Sequence, residues 1–448
     1  MFNIISNRWK DANPIKKKMM KNVFWAMTGK IVNMLGALFV GILVARYLGP
    51  KNYGLMNYVI SYVSLFTIIA TFGLSNIEVR ELSKNPNQKE RILGTCFSIR
   101  FVFSTIAYIF LALSLVFYET DSITSLMILV YGITLYTTCC FELIRNYFTS
   151  IVKNEYIVRS EITRTIIGAG IKILLLYLEA PLFVFIIAVV FDTILVASGY
   201  SLSYKMLVGS FRDWKLDKTL IPYFVKQSFP LLLSGAAIII YQKIDQVMIG
   251  NMIDKESVGY FATAGKFLDI ILFLPTVLTQ TVAPVLVKIY NDGNTSLYNE
   301  KAYKFVSIVV WLAIVISFIF SLSAYWLVHL TYGDKYLAAV PILQIMVWKT
   351  VGTALSSSGG QLIIIEKKQK WAVIRNIMGC IACVLLNYLL IPRYGIIGSA
   401  WVTIITVFIS GFLANILIRP YRYIFRIEAK ALFCGWKELL EINKILSK

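Results

Sequence analysis

The sequence contains one histidine and six cysteines in 448 residues, so it offers few ligands for a metal ion. His329 lies near the end of a hydrophobic stretch and has no partner residue with which to bind a metal. Cys380 and Cys383 form a CxxC motif inside another such stretch, where packing of small residues between helices explains them better. Catalysis by a bound metal is therefore excluded, and no cofactor is expected.

Charged residues are also scarce, at 15%, whereas apolar residues make up 58% of the chain. A helix needs about 20 apolar residues to cross the hydrocarbon core of a bilayer. The sequence predicts an all-α integral membrane protein with about twelve transmembrane helices, joined by connectors too short to hold a catalytic domain. The predicted spans are 23–45, 54–77, 93–118, 124–148, 162–178, 182–204, 227–250, 258–287, 304–330, 337–365, 371–391 and 396–418.

The net charge of +20 is placed as expected for a membrane protein and does not indicate binding to nucleic acid. Most Lys and Arg residues fall in the termini and the even-numbered connectors. Cationic loops stay on the cytoplasmic side during insertion, so both termini are predicted to be cytoplasmic. Anionic headgroups of the lipid bilayer are natural partners of this basic surface.

The chain resembles a tandem duplication of six spans. The turn Gly49–Gly54 matches the turn Asp254–Gly259 in position, and repeats of even span number insert with the same orientation. Two six-helix lobes around a central cavity are therefore predicted. The predicted division is an interfacial segment at 1–22, lobes at 23–204 and 227–420, a cytoplasmic linker at 205–226, and an amphipathic cytoplasmic tail at 421–448.

Charged side chains inside the spans each require an explanation, because a charge at the bilayer centre costs about 2.5–3.5 kcal/mol. Glu142 can pair with Arg145, and Lys30 and Arg100 could snorkel to the cytoplasmic surface. A deeper set has two interpretations, buried ion pairs or a wet cavity lined by lysines with a titrating aspartate, and charge counting favours neither. This set comprises Lys172, Asp192, Lys243, Asp245, Lys266, Asp269 and Lys349. Pairing of Asp245 with Lys266, or of Lys266 with Asp269, is feasible at their shared depth.

Uncharged polar residues extend the same stripe, and they suit either hydrogen bonds between helices or a ligand rich in hydroxyl groups. They are Asn33, Asn57, Gln242, Gln246, Gln280, Gln344, Gln361 and Asn387.

Several motifs together resemble the Wzx-type repeat-unit flippases, the polysaccharide transporters of the multidrug/oligosaccharidyl-lipid/polysaccharide exporter superfamily. In the first lobe they are ARYLGPKNYG at 45–54, FGLSN at 72–76 and RELS at 80–83. In the second they are IDQVMIG at 244–250, VGYFATA at 258–264 and LNYLLIPRYGIIG at 386–398. The likeness extends from about residue 20 to residue 420.

The resemblance implies a V-shaped pair of lobes that carries an undecaprenyl-pyrophosphate-linked oligosaccharide, of O-antigen or capsule type, from the cytoplasmic to the outer leaflet. It implies alternating access in the bacterial plasma (inner) membrane, coupled to H⁺ or Na⁺, with a polysaccharide polymerase and a chain-length regulator as partners. By position it points to Lys30 and Arg46 in the first lobe and to Lys243 and Lys266 in the second. Lys172 and Lys349 complete the predicted cationic cavity. The candidate coupling carboxylates are Asp245, Asp192 and Asp269.

Three alternatives were weighed. A multidrug or cation antiporter of the same superfamily would favour carboxylates over lysines in its cavity, and the lysines outnumber the aspartates only narrowly. A membrane glycosyltransferase or polymerase would need a large loop with acidic residues, so enzyme activity is not expected. A scaffold without transport would leave the buried lysines unexplained.

Overall fold

The computed structural model describes residues 14–118 and 121–440, and within these ranges the chain is helical, with no β-strand. The segment 1–13 and the residues beyond 440, parts of the predicted interfacial segment and tail, lie outside the described residues. The helices are α1 Pro14–Thr71, α2 Ser75–Lys84, α3 Lys89–Tyr118, α4 Ser122–Gly132, α5 Thr134–Ser150, α6 Asn154–Tyr177, α7 Leu182–Leu207, α8 Ile221–Met252, α9 Lys255–Asn291, α10 Thr295–Thr331, α11 Ala339–Met346, α12 Lys349–Ile365, α13 Ala372–Phe408, α14 Ala414–Leu417, α15 Arg422–Cys434 and α16 Trp436–Leu440.

Nine helical stretches of the described chain are long and apolar enough to cross a membrane. Two of them contain a sharp turn, at Gly49 in α1 and at Gly395 in α13, so each holds two of the predicted spans. Helix α6 corresponds to the fifth span but is not among the nine. All twelve predicted spans thus fall on helical stretches, which confirms the predicted fold class of a multi-pass helical membrane protein.

The predicted external turns have clear local causes. Gly49 has φ of 71°, a left-handed conformation that glycine adopts without the clash of a Cβ atom. Pro50 follows directly, and its fixed φ suits the first turn of a helix. In the matching turn, the Asp254 side chain accepts a hydrogen bond from the Ser257 amide at 2.7 Å and caps α9.

The described chain forms two compact units. Unit 1 contains the residues up to Tyr47 together with Tyr62–Gly235, and unit 2 contains Leu48–Ser61 together with the chain from Ala236 onward. Each unit has its own apolar core. The segment Leu48–Ser61 thus groups by contacts with the second half of the chain. The lobe boundaries at 204 and 227, and the linker role of 205–226, stay predictions.

Arg100 forms the centre of a buried ion-pair network in unit 1. Its side chain is fully buried, and it pairs with Glu78 at 2.6 Å and with Glu142 at 3.0 Å. Its remaining hydrogen bonds go to the Cys139 carbonyl and the Ser75 hydroxyl. The predictions that Arg100 snorkels and that Glu142 pairs with Arg145 are therefore wrong. Sequence spacing alone did not show that α2 presents an acid to α3.

The tail helix α15 is amphipathic, and one of its faces is buried within unit 2. Ile424, Glu428 and Ala431 are buried, and the Ala431 carbonyl accepts a hydrogen bond from Trp311 at 3.0 Å. Glu428 accepts a hydrogen bond from Asn415 at 2.9 Å. This face of the tail therefore packs on protein.

Candidate functional site

Unit 2 encloses a polar cavity of about 440 Å³. Its walls come from α8, α9, α12 and α13 and from the segment Leu48–Ser61. The volume lies within the range of about 300–1,000 Å³ that is typical of small-molecule sites. The cavity has both charged and hydroxyl-bearing walls, so it is the first candidate for a site that binds a polar ligand.

Three lysines line this cavity: Lys243 on α8, Lys266 on α9 and Lys349 at the start of α12. All three are half-buried. None of them forms an ion pair with a carboxylate among the described residues. Lys243 lies within electrostatic reach of Lys266, Lys349 and Asp269. The lysines therefore form one cationic group whose charges remain available to a ligand.

Asp245 and Asp269 also line the cavity, in different environments. Asp269 is exposed and shares a face of α9 with Lys266, one turn away. Asp245 is only 3% exposed and accepts hydrogen bonds from Asn387 at 2.5 Å and from the Cys383 thiol at 3.2 Å. The pairing of Lys266 with Asp245 or Asp269, considered above, does not form. Three ammonium groups face two carboxylates, so the cavity holds one excess positive charge when all five groups are ionised.

Cys383 and Asn387 were not predicted to act together with Asp245. They lie four residues apart on α13, so they occupy one face of that helix and meet the same carboxylate oxygen. The CxxC motif had been explained by helix packing alone. The i, i+4 spacing of Cys383 and Asn387 shows in the sequence that the two side chains share a helix face. It does not show that Asp245, on another helix, accepts hydrogen bonds from both.

Neutral polar groups complete the cavity wall. The Ser61 hydroxyl donates a hydrogen bond to Gln246 at 2.7 Å, and Asn57 and Gln242 lie nearby on the same wall. Sequence analysis missed the hydroxyl groups from α12, α13 and the helical segment Ile409–Leu413 that follows α13, because serine and threonine are common wherever helices pack closely. These are Thr353, Ser356, Ser357, Thr403 and Ser410.

The two repeat-related glycines bring the walls of this cavity together. A Cβ atom on Gly54 would lie 1.7 Å from the Lys255 carbonyl oxygen, and one on Gly259 would lie 2.2 Å from the Pro50 carbonyl oxygen. The two backbones therefore touch at this crossing. The contact lies one turn from Asn57 and two turns from Ser61, and it positions both residues at the cavity.

The other four predicted site residues lie in unit 1, outside this cavity. Lys172 on α6 forms an ion pair with Asp192 on α7. Lys30 and Arg46 are exposed on α1. The structure thus brings together five of the nine predicted residues, Lys243, Lys266, Lys349, Asp245 and Asp269, and the roles of all nine stay predictions.

The profile of a family described as "Polysaccharide biosynthesis protein" matches residues 19–290, more than half of the chain. The chain belongs to this family. A second profile, described as MatE, matches residues 230–389. Among related sequences, the capsular polysaccharide biosynthesis protein CapF of Staphylococcus aureus is 22% identical over 434 residues, with 91% of this chain and 99% of CapF covered.

Solved structures with the same fold come from two branches of transporters. The lipid II flippase MurJ, in an inward closed conformation, has a TM-score of 0.67 and 17% identity, with 95% of this chain and 96% of that chain covered. A multidrug resistance MATE transporter of the MOP superfamily, in an inward-facing conformation, has a TM-score of 0.64 and 14% identity, with coverage of 87% and 96%. The predicted family is confirmed, and the chain is a multi-pass helical membrane protein of the polysaccharide biosynthesis family with the fold of these solved structures.

Proposed function

We propose that the protein is a flippase that moves undecaprenyl-pyrophosphate-linked oligosaccharide repeat units from the cytoplasmic to the outer leaflet of the bacterial plasma membrane, with both termini cytoplasmic. It would work by alternating access, without a catalytic step. The observation that carries this proposal is the group of three lysines that lines a polar cavity in unit 2 and forms no ion pair with any carboxylate that the structure describes.

The physical problem in such transport is the headgroup, because the polyprenyl chain is soluble in lipid and the diphosphate and sugars are not. Moving an ion from water into a medium of low dielectric constant costs many kcal/mol unless opposite charges accompany it. Lys243, Lys266 and Lys349 supply those charges inside a cavity with polar walls. The hydroxyl and amide groups of the same cavity suit the sugars or the diphosphate oxygens.

Asp245 is the candidate coupling group. It lies at the cavity wall, almost fully shielded, and burial favours the neutral or ion-bound form of a carboxylate over the free charged form. Uptake of H⁺ or Na⁺ at Asp245 would change the charge balance around the lysines and so couple the ion to the release of an anionic substrate. Asp269 is a second candidate, on the exposed side of the cavity.

A multidrug or cation antiporter is the second candidate function, and the MatE profile and the MATE fold favour it. Its ligands are cations, which the excess of ammonium groups in the unit 2 cavity would repel. To bind a cation, the cavity would need its two carboxylates to offset the positive charge of three lysines. The cavity charge therefore favours an anionic substrate.

The test replaces Lys266 with Ala in a host whose own copy of the gene is deleted, and measures surface glycan together with the lipid-linked precursor that remains inside. Loss of a charge-assisted contact of about 1.5–3 kcal/mol predicts a fall in transport of about ten-fold or more, with accumulation of the precursor. Lys288→Ala is the matched control, because Lys288 is an exposed lysine on the same helix.

Normal glycan display by Lys266→Ala at normal protein level would contradict the proposal. Cation tolerance that depends on Asp269, with unchanged glycan display, would support the antiporter instead.

A further inference from the structure

Unit 1 contains a second polar cavity, of about 290 Å³, that the lysine cavity does not explain. It lies between α5, α6 and α7. Arg145 is five residues before the end of α5, and Glu161 and Arg164 are seven and ten residues after the start of α6. A helix rises about 1.5 Å per residue, so these groups lie within about 15 Å of the turn at 151–153, which joins α5 to α6 and marks one end of unit 1. The predicted topology places that end on the cytoplasmic side.

The carboxylate of Glu161 is held in one orientation at this cavity. It accepts hydrogen bonds from Asn33 at 3.0 Å and from the Tyr200 hydroxyl at 2.9 Å, on separate oxygens. Arg145 lies 3.9 Å from the oxygen that Tyr200 contacts. Glu161 is therefore fixed by three elements, and it can still accept a further hydrogen bond from a ligand, because each carboxylate oxygen has two lone pairs.

Arg164 is the unsatisfied member of the group. It lines the cavity, and its Nε atom is shielded from solvent without a hydrogen-bond acceptor among the described residues. No ion pair forms between its guanidinium group and a described carboxylate. This Nε–H donor is therefore available to a ligand that accepts a hydrogen bond.

The charges and walls of the cavity define the class of that ligand. The lining contains two guanidinium groups, of Arg145 and Arg164, and two carboxylates, of Glu142 and Glu161, of which Glu142 is already paired with Arg100 at 3.0 Å. An anion such as diphosphate would meet the Glu161 carboxylate, whereas the hydroxyl groups of a sugar can both donate to Glu161 and accept from Arg164. Phe141 and the other apolar lining residues supply a surface for the face of a sugar ring, and the volume suits one ring better than an oligosaccharide.

We propose that this unit 1 cavity binds one monosaccharide ring of the transported repeat unit, with Arg164 and Glu161 as its polar contacts. This inference rests on the proposed flippase function, because it takes the ligand from the same cargo. It adds a contact for one sugar ring in unit 1 to the polar groups of the unit 2 cavity.

The test measures binding of free glucose, galactose, N-acetylglucosamine and glucuronate to the purified protein in nanodiscs, by saturation-transfer difference NMR. At least one sugar should bind the unaltered protein, and Arg164→Gln should weaken its binding by about ten-fold or more, because a charge-assisted hydrogen bond is lost. Val196→Phe should weaken sugar binding as well, because its larger side chain would fill the cavity. Because Arg164 forms no ion pair with any residue that the structure describes, its variant should fold normally.

Arg159→Gln is the matched control on the same helix. Arg159 is exposed and stacks over Trp25 and Tyr156, outside the cavity. Binding of no sugar by the unaltered protein, or binding that survives both Arg164→Gln and Val196→Phe, would overturn the inference.

A parallel titration with inorganic pyrophosphate separates this inference from the proposed function. Lys266→Ala should abolish pyrophosphate binding and leave sugar binding intact. If pyrophosphate binding did not depend on Lys266 while sugar binding still required Arg164, the proposed diphosphate site would fail and the sugar site would stand.

Discussion

Replacement of Arg100 by Leu should destabilise unit 1 more than almost any other single change. The substitution leaves Glu78 without its ion pair to Arg100, and Glu142 loses the ion-pair partner that it has among the described residues. Of the Glu78 contacts, the hydrogen bond from Asn146 at 2.7 Å remains. Removal of one partner from a buried pair costs about 3–5 kcal/mol, a large part of a typical folding stability of about 5–15 kcal/mol.

The assay is the thermal or denaturant midpoint of the purified protein in detergent, together with the yield in the membrane. Arg145→Leu is the matched control, because Arg145 is 50% exposed and approaches its acid only to 3.9 Å. An exposed pair contributes about 0–1 kcal/mol, so this variant should stay close to the unaltered protein. The double variant Arg100→Leu with Glu78→Gln should recover part of the loss. Equal midpoints for Arg100→Leu and Arg145→Leu would refute the reasoning.

Three further perturbations test other parts of the structure. Gly54→Ala should reduce transport and lower the free energy of unfolding by about 1–3 kcal/mol, seen as a lower thermal midpoint, because its Cβ would collide with the Lys255 carbonyl; an unchanged midpoint would contradict the backbone contact. Lys172→Met should lower protein level, and adding Asp192→Leu should restore it, if the pair is structural; loss of glycan display by the double variant at normal level would indicate a transport role instead. Burial raises the pKa of Glu428 from 4.5 to about 8, so packing of α15 should weaken as pH rises from about 5 to 8, measured as faster proteolysis of the tail, and Glu428→Gln should remove this dependence.

Much of the fold could be predicted from hydrophobic run length, because a bilayer imposes one length on every crossing helix. The turns at Gly49 and Gly395 and the cap at Asp254 follow from local chemistry that a sequence displays directly. The grouping of Leu48–Ser61 with unit 2 could not be predicted in this way. The grouping depends on which backbones can approach each other. Gly54 and Gly259 allow this approach only because they lie opposite one another, which the sequence does not show.

The candidate site was harder to predict, because charge counting cannot distinguish a buried pair from an open cavity. Lys172 and Lys266 each occur in an apolar helix near an aspartate, yet the first is paired and the second is not. The difference comes from the rotation of each helix about its axis. Asp192 faces α6 and pairs with Lys172, whereas Asp245 faces α13 and accepts hydrogen bonds from Asn387 and Cys383.

The hydrogen bonds from Asn387 and Cys383 to Asp245 also affect the lysines of the unit 2 cavity. If Asp245 paired with Lys266, the cavity would lose one cation and one potential coupling group at once. Asn387 and Cys383 hold the carboxylate by neutral hydrogen bonds, so Asp245 forms no ion pair with Lys266 among the described residues. The proposed function places an anionic ligand at the lysines and an ion at Asp245, and the neutral side chains of α13 keep these two groups apart in unit 2.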